Sequence, residues 1–164
     1  MTTVYAESSA VLRWLLGTAD APVLQDALAS AQVVVTSSLT STEVARTLRR
    51  LVSTGVIEPQ VGDASWARYS AAIAHWHFYG VTDAVLARAS QPFPREPVRT
   101  LDAIHLATAA LFALEVTPPT VLSVDQQLRA NAQALGMSVM PPLSSNRRCR
   151  RFCRIVRRKG VVSA

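Results

Sequence analysis

Gln32-Val33-Val34-Val35-Thr36-Ser37 is the stretch on which the fold reading turns. Its three consecutive valines are apolar toward both faces of a sheet, the pattern of a strand covered on both sides and so of a parallel sheet. Upstream, residues 2–6 form a short β-prone run, and residues 8–16 carry Val11, Leu12, Leu15 and Leu16 at helical spacing. Residues 20–30 read as a second helix, with Val23, Leu24 and Leu28 on one side. Downstream, helical patterns cover residues 40–53, 63–79 and 82–89, and Pro92, Pro94 and Pro97 make 91–98 a loop. A strongly apolar helix follows at 100–114. Pro118-Pro119 breaks the chain before a second buried strand at 120–124, and 125–135 returns to helix with Gly136 suited to its C-terminal cap. Residues 137–140 have room for a last short strand. Strands alternating with helices predict an α/β fold, a mostly parallel sheet flanked by helices as an α/β/α sandwich. Ligands in such folds bind beyond the carboxyl ends of the strands.

The chain of 164 residues is long enough for one domain with a substantial core. No run of about 18 apolar residues exists, so no spanning helix and no stable membrane association are expected. The start has no basic segment, and Glu7 precedes its apolar stretch, which argues against a signal peptide and for a cytoplasmic protein. The net charge of +6 and the isoelectric point of 10.3 mislead. Residues 1–146 hold nine arginines, no lysine and all eleven acids, a net charge of −2. The segment from Arg147 onward holds seven arginines and Lys159, a net charge of +8. The expected organisation is a domain over 1–140, a linker over 141–146 and an Arg-rich tail over 147–164. Cys149, Phe152, Cys153 and Val156 recur there at helical spacing, so the tail is either a basic amphipathic helix or disordered. Both cysteines lie in it with no histidine nearby, half a zinc site at best, and are expected as free thiols.

Four acids stand where a helix begins or a strand has just ended: Glu7, Glu43, Asp102 and Asp125. Each has a purely structural reading. Thr40-Ser41-Thr42-Glu43 spells a capping box. Asp102 lies in a first helical turn, where the macrodipole favours a negative charge. Asp125 follows a strand and suits an N-cap, and Glu7 precedes Ser8-Ser9 in the same manner. Jointly they predict more, because regular topology brings all four to one edge of the sheet. Carboxylates gathered within ~5 Å repel and force at least one pKa up. One or two Mg²⁺ or Mn²⁺ ions relieve that repulsion, since hard cations prefer oxygen ligands, and a metal so placed suits phosphoryl chemistry.

Tyr5-Ala6-Glu7-Ser8-Ser9-Ala10, Leu39-Thr40-Ser41-Thr42-Glu43-Val44, Thr100-Leu101-Asp102-Ala103-Ile104-His105-Leu106-Ala107 and Leu122-Ser123-Val124-Asp125-Gln126-Gln127-Leu128 resemble the successive motifs of PIN-domain ribonucleases. The closest branch is the VapC-type toxins of bacterial toxin–antitoxin pairs. The resemblance spans residues 2–140 and is most specific over 101–107. It implies a Mg²⁺-dependent endoribonuclease acting on RNA of the tRNA or ribosomal type, a homodimer, and a cognate VapB-type antitoxin that covers the groove. It further implies that Glu7, Glu43, Asp102 and Asp125 are the catalytic, metal-holding acids, and that Ser9 and Ser123 orient the first carboxylate. One departure stands out. Glu7 occupies the place of an aspartate, and its extra methylene moves the carboxylate by ~1.5 Å from ions whose ligand geometry is strict. That keeps open a catalytically weak PIN-like module that only binds RNA or a partner; a DNA nuclease of related fold is a third reading.

The remaining polar residues are read as follows. Arg46, Arg50 and Arg99 are candidates for RNA phosphate or antitoxin contacts, and Arg49 equally suits solvated helix surface. His105, three residues after Asp102 on an apolar helix, is expected as a hydrogen-bonded core residue rather than a base. His75 and His77 are assigned to a surface or partner-binding face, among the aromatic residues of 66–79.

Overall fold

The computed structural model describes residues 2–142. In chain order these form β1 (Thr3–Ala6), α1 (Ser8–Leu15), α2 (Ala21–Ser30), β2 (Val33–Ser37), α3 (Ser38–Ser53), α4 (Pro59–Ile73), β3 (His77–Tyr79), α5 (Asp83–Ala89), α6 (Thr100–Glu115), β4 (Thr120–Leu122), α7 (Gln126–Ala134) and β5 (Val139–Met140). The five strands make one all-parallel sheet in the order β3-β2-β1-β4-β5. The α/β/α expectation holds. The Arg-rich tail and most of the linker fall outside the described residues.

Alternation along β1 divides the core in two, because successive strand side chains point to opposite faces. Val4 and Ala6, with Val34 and Leu122, face Val11, Trp14 and Leu15 of α1, Val44 and Leu48 of α3, and Tyr69 of α4. Tyr5, with Val35 and Val121, faces Val85 of α5, Leu106 and Ala107 of α6, and Leu128 and Ala132 of α7. Each valine or leucine among them stabilises the fold by roughly 1.5–3 kcal/mol when fully buried. Strands of two to five residues are held by this two-sided burial rather than by their own hydrogen bonds.

Several boundaries differ from expectation, and β4 ends at Leu122 rather than at residue 124. Residues 63–79 are not one helix: α4 starts at Pro59 and ends at Ile73, and His77–Tyr79 pairs with β2 in register Val35↔His77 and Ser37↔Tyr79. α3 begins two residues earlier than predicted, with Ser37 as N-cap accepting from the Leu39 N–H at 3.2 Å. Among the described residues no helix is long and apolar enough to cross a membrane.

The strand order fixes where a site can form. β1 connects outward to β2 and then β3, whereas β4 lies on the other flank of β1. The crevice between the carboxyl ends of β1 and β4 is therefore the topological switch point. Glu7 directly follows β1, and Ser123 directly follows β4.

Candidate functional site: an acidic cleft at the strand switch point

Glu7 is the N-cap of α1 and is only 3% exposed. Its Oε1 accepts from the Ser9 N–H at 2.9 Å and the Ser8 hydroxyl at 2.7 Å. Its Oε2 accepts from the Ser123 hydroxyl at 2.8 Å and from the Ser9 hydroxyl. Four donors match the roughly four lone-pair positions of a carboxylate. The same serines reach across the switch point: Ser9 Oγ accepts from the Val124 N–H at 3.0 Å, and Ser123 Oγ from the Asp125 N–H at 3.1 Å. Glu7 thus ties the β1–α1 junction to the turn after β4. The small-hydroxyl roles expected of Ser9 and Ser123 match this geometry, and Ser8 is an additional partner signalled only by the serine doublet.

Asp125 is the N-cap of α7, with Oδ1 accepting from the Gln127 N–H at 2.8 Å and the Leu128 N–H at 3.0 Å. Arg129, buried one turn later, donates to the Ser123 carbonyl at 2.7 Å and fixes the turn from behind. Asp102 sits in the first turn of α6. Asp102, Asp125 and Arg99 line one open cleft together with Pro97, Val98 and Gln127. The Asp102 pKa is pushed up to about 6, chiefly by burial and then by the negative charges of Asp125 and Glu7, against smaller opposing effects of His105 and Arg99. The acids therefore share one electrostatic neighbourhood.

Glu43 does not close a capping box. With Ser37 as the cap, Thr40 lies inside α3 and its hydroxyl accepts from Thr36 at 2.8 Å. The Glu43 side chain, 19% exposed, instead accepts at Oε2 from His105 Nε2 at 2.6 Å. His105 Nδ1 in turn meets the Tyr5 hydroxyl at 2.8 Å. Burial lowers the His105 pKa, but the Glu43 hydrogen bond and the charges of Glu7, Glu43 and Asp102 outweigh it, so the net shift is upward. The Tyr5 hydroxyl is held well above its ordinary pKa by burial and by Glu7 and Glu43. His105 is hydrogen-bonded in the core as anticipated, yet its partner is a site acid, which the sequence reading did not foresee.

Arg99 is exposed and lines the cleft with Asp102. Arg46 and Arg49 are exposed on α3, and Arg50 is half-buried. Pro97, Val98 and Gln127 are lining residues that sequence reasoning missed. The Pro-rich loop is pinned by α7: Gln127 Nε2 donates to the carbonyls of Arg95 and Pro97, and Asn131 pairs with both backbone groups of Arg95.

Comparison with known proteins agrees with this geometry. Residues 4–134 match the PIN domain. The chain belongs to the PIN-domain family. It is 31% identical over 142 residues to "Ribonuclease VapC46" of Mycobacterium tuberculosis, covering 87% of this chain and 99% of that protein. It is likewise 31% identical over 142 residues to "Ribonuclease VapC35" of the same organism, covering 85% of this chain and 96% of that one. These matches place it in the VapC branch of the PIN-domain family.

A divalent cation fits this PIN-domain site in donor chemistry. The acids offer hard oxygen ligands, and the raised Asp102 pKa marks a carboxylate pair that a cation would neutralise. In placement the site is not preset: among the described residues no three acid, histidine or cysteine side chains stand together as a ligand group. Glu7, with both oxygens engaged, would have to share or release a hydrogen bond to join Asp102 and Asp125, whereas Glu43 has one oxygen held by His105.

Proposed function

We propose that this protein is the toxin of a toxin–antitoxin pair, a Mg²⁺- or Mn²⁺-dependent endoribonuclease acting on tRNA- or rRNA-type targets. The single observation that carries the reading is Asp102, a half-buried acid that lines a cleft with Asp125 at the switch point and whose proton affinity is raised by burial and then by the charges of Asp125 and Glu7. The names of the VapC relatives support the same class. A divalent cation held by Asp102 and Asp125, with Glu7 and Glu43 completing the acidic set, would supply Lewis acidity toward an RNA phosphodiester and lower the pKa of attacking water. The chain's own groups do the rest. Arg99 offers a cation to a phosphate at the rim, while Pro97 and Val98 form an apolar wall beside the reacting position. The α7 N-cap bonds and the Glu7–serine network hold the acids in orientation, the preorganisation on which electrostatic stabilisation depends.

The expected partners are a VapB-type antitoxin, a second copy of the chain in a homodimer, and RNA in the cytoplasm. An antitoxin segment that places an arginine near Asp102 would substitute for a divalent cation and block the cleft. The test is cleavage of total RNA by the purified protein with Mg²⁺ or Mn²⁺, with and without EDTA. Cleavage that EDTA stops, and that is lost in both Glu7→Gln and Asp102→Asn, is expected. Unchanged turnover in both variants overturns the metal-site reading.

A second reading, a weakly active or inactive PIN-like module that binds RNA or a partner, is favoured by one observation. Both Glu7 oxygens are already engaged by four protein donors. RNA binding without cleavage at any Mg²⁺ or Mn²⁺ concentration would select it.

A further inference from the structure

Glu43 reaches its place through two residues that belong to neither the acidic set nor the cleft wall. His105 is 1% exposed, and Tyr5 is fully buried. The imidazole bridges them: Nε2 lies 2.6 Å from Glu43 Oε2 and Nδ1 lies 2.8 Å from the Tyr5 hydroxyl. The rings of Tyr5 and His105 meet edge to face, with centroids 6.1 Å apart. With the carboxylate as acceptor, the Nε2–H donates to Glu43 whatever hydrogen Nδ1 carries. The result is a strut across three elements, from Tyr5 in the central strand β1, through His105 in α6, to Glu43 in α3.

That strut answers a problem of reach. Glu43 has three rotatable side-chain bonds and projects from a helix whose neighbouring Thr42 and Arg46 are exposed. Left alone, such a side chain samples several rotamers in solvent. A buried donor at 2.6 Å fixes one oxygen and leaves the other to face elsewhere. Tyr5 cannot follow the solvent either, since it sits in the middle strand under α6.

We propose that His105 is a positioning residue that holds the Glu43 carboxylate in its site orientation, with the Tyr5 hydroxyl setting the plane of the imidazole. Its bearing on catalysis rests on the metal-dependent reading above, whereas its bearing on Glu43 does not. Outer-sphere partners of this kind change metal affinity or activity by about 10–100-fold when removed.

Two readouts separate the cases. In metal-free protein, carbodiimide labelling followed by mass spectrometry reports the reactivity of each carboxylate. Glu43 is expected to be protected in the wild type, to react roughly fivefold or more faster in His105→Leu, and to be protected again in His105→Gln, whose amide nitrogen replaces Nε2. Asp125 serves as the unchanged internal reference. With Mn²⁺ and RNA, His105→Leu is expected to lose about 10–100-fold in Mn²⁺ affinity and kcat at unchanged KM. His105→Gln should recover to within a few-fold, and Tyr5→Phe should fall between. Equal labelling of Glu43 in all variants, or a Gln variant as impaired as the Leu variant while equally folded, reduces His105 to core filling and overturns the proposal. A labelling difference in a wild type that neither binds Mn²⁺ nor cuts RNA would leave the strut standing and sink the nuclease reading instead.

Discussion

Asp102 carries a cost that its neighbours impose. Its pKa of about 6 against an ordinary 3.8 means that the folded state binds this proton more tightly than the unfolded state does. The contribution to stability is therefore fully present below pH 3.8 and is lost as pH rises through about 6, where the buried carboxylate ionises beside Asp125 and Glu7. In chelated protein, Asp102→Asn is expected to match the wild type near pH 4. Above pH 7 it should be more stable by on the order of 1–2 kcal/mol, once the partial exposure of the group is discounted. Urea denaturation across that range checks the sign, and adding Mn²⁺ should stabilise the wild type but not the variant. Glu7 is held differently: its longer arm folds back into the helix cap and gathers hydroxyls. The sequence made its extra methylene visible but not its destination, which depends on a serine 116 residues away. Ser123→Ala removes a donor to Glu7 and the acceptor of the Asp125 N–H at one stroke. A loss of about 1–3 kcal/mol in the same denaturation measurement is expected.

Elements with strong periodicity or a defined breaker were legible: β2 from its valines, α6 from its apolar run, the loop of residues 91–98 from its prolines, and the cap of α7 at Gly136, whose φ is +84°. β3 was not, because three residues show no period and His77-Phe78-Tyr79 continues an aromatic stretch that also fits a helix. Only pairing to β2, a long-range event, makes it a strand. The capping box at 40–43 failed for a related reason. Ser37 and Thr40 both suit an N-cap; Ser37 takes the role, and the Thr40 hydroxyl bonds Thr36 one turn back instead. Gly62 marks another contact that spacing alone does not reveal. It lies buried in α4 against α3, where an added Cβ would stand 2.7 Å from Val52 Cγ2. Alanine at a helix interior gains up to about 1 kcal/mol over glycine, but overpacking costs about 1–3 kcal/mol and valine is stiff at χ1. Gly62→Ala is expected to destabilise the wild type, and to stabilise it when Val52→Ala opens the space. A thermal double-mutant cycle that shows no coupling between the two would refute this account of the α3–α4 contact.

At the scale of the whole molecule, topology assembles the acids and composition separates the charges. Acids as far apart as positions 7 and 125 come to the same end of the sheet because β1 and β4 are neighbours in a sheet whose order reverses between them. The body that carries this cleft has a net charge of −2, which gives RNA little general attraction, and its arginines near the site are few. The eight cations from Arg147 onward are the largest reserve of positive charge in the chain. If they supply the general affinity for RNA, binding must be salt-dependent through counterion release, at about 0.7 in the log–log slope for each cation that meets a single-stranded phosphate. A chain ending at Pro142 is then expected to bind RNA at least tenfold more weakly at low salt, with a slope shallower by about 2 or more, while the two chains converge as salt rises. Filter binding of a catalytically silenced Asp102→Asn pair, full-length and shortened, across a salt series measures this without cleavage intervening. Equal affinity at low salt would assign RNA capture to Arg99 and the α3 arginines alone. The cleft would then draw its substrate by local contacts rather than by the field of the whole chain.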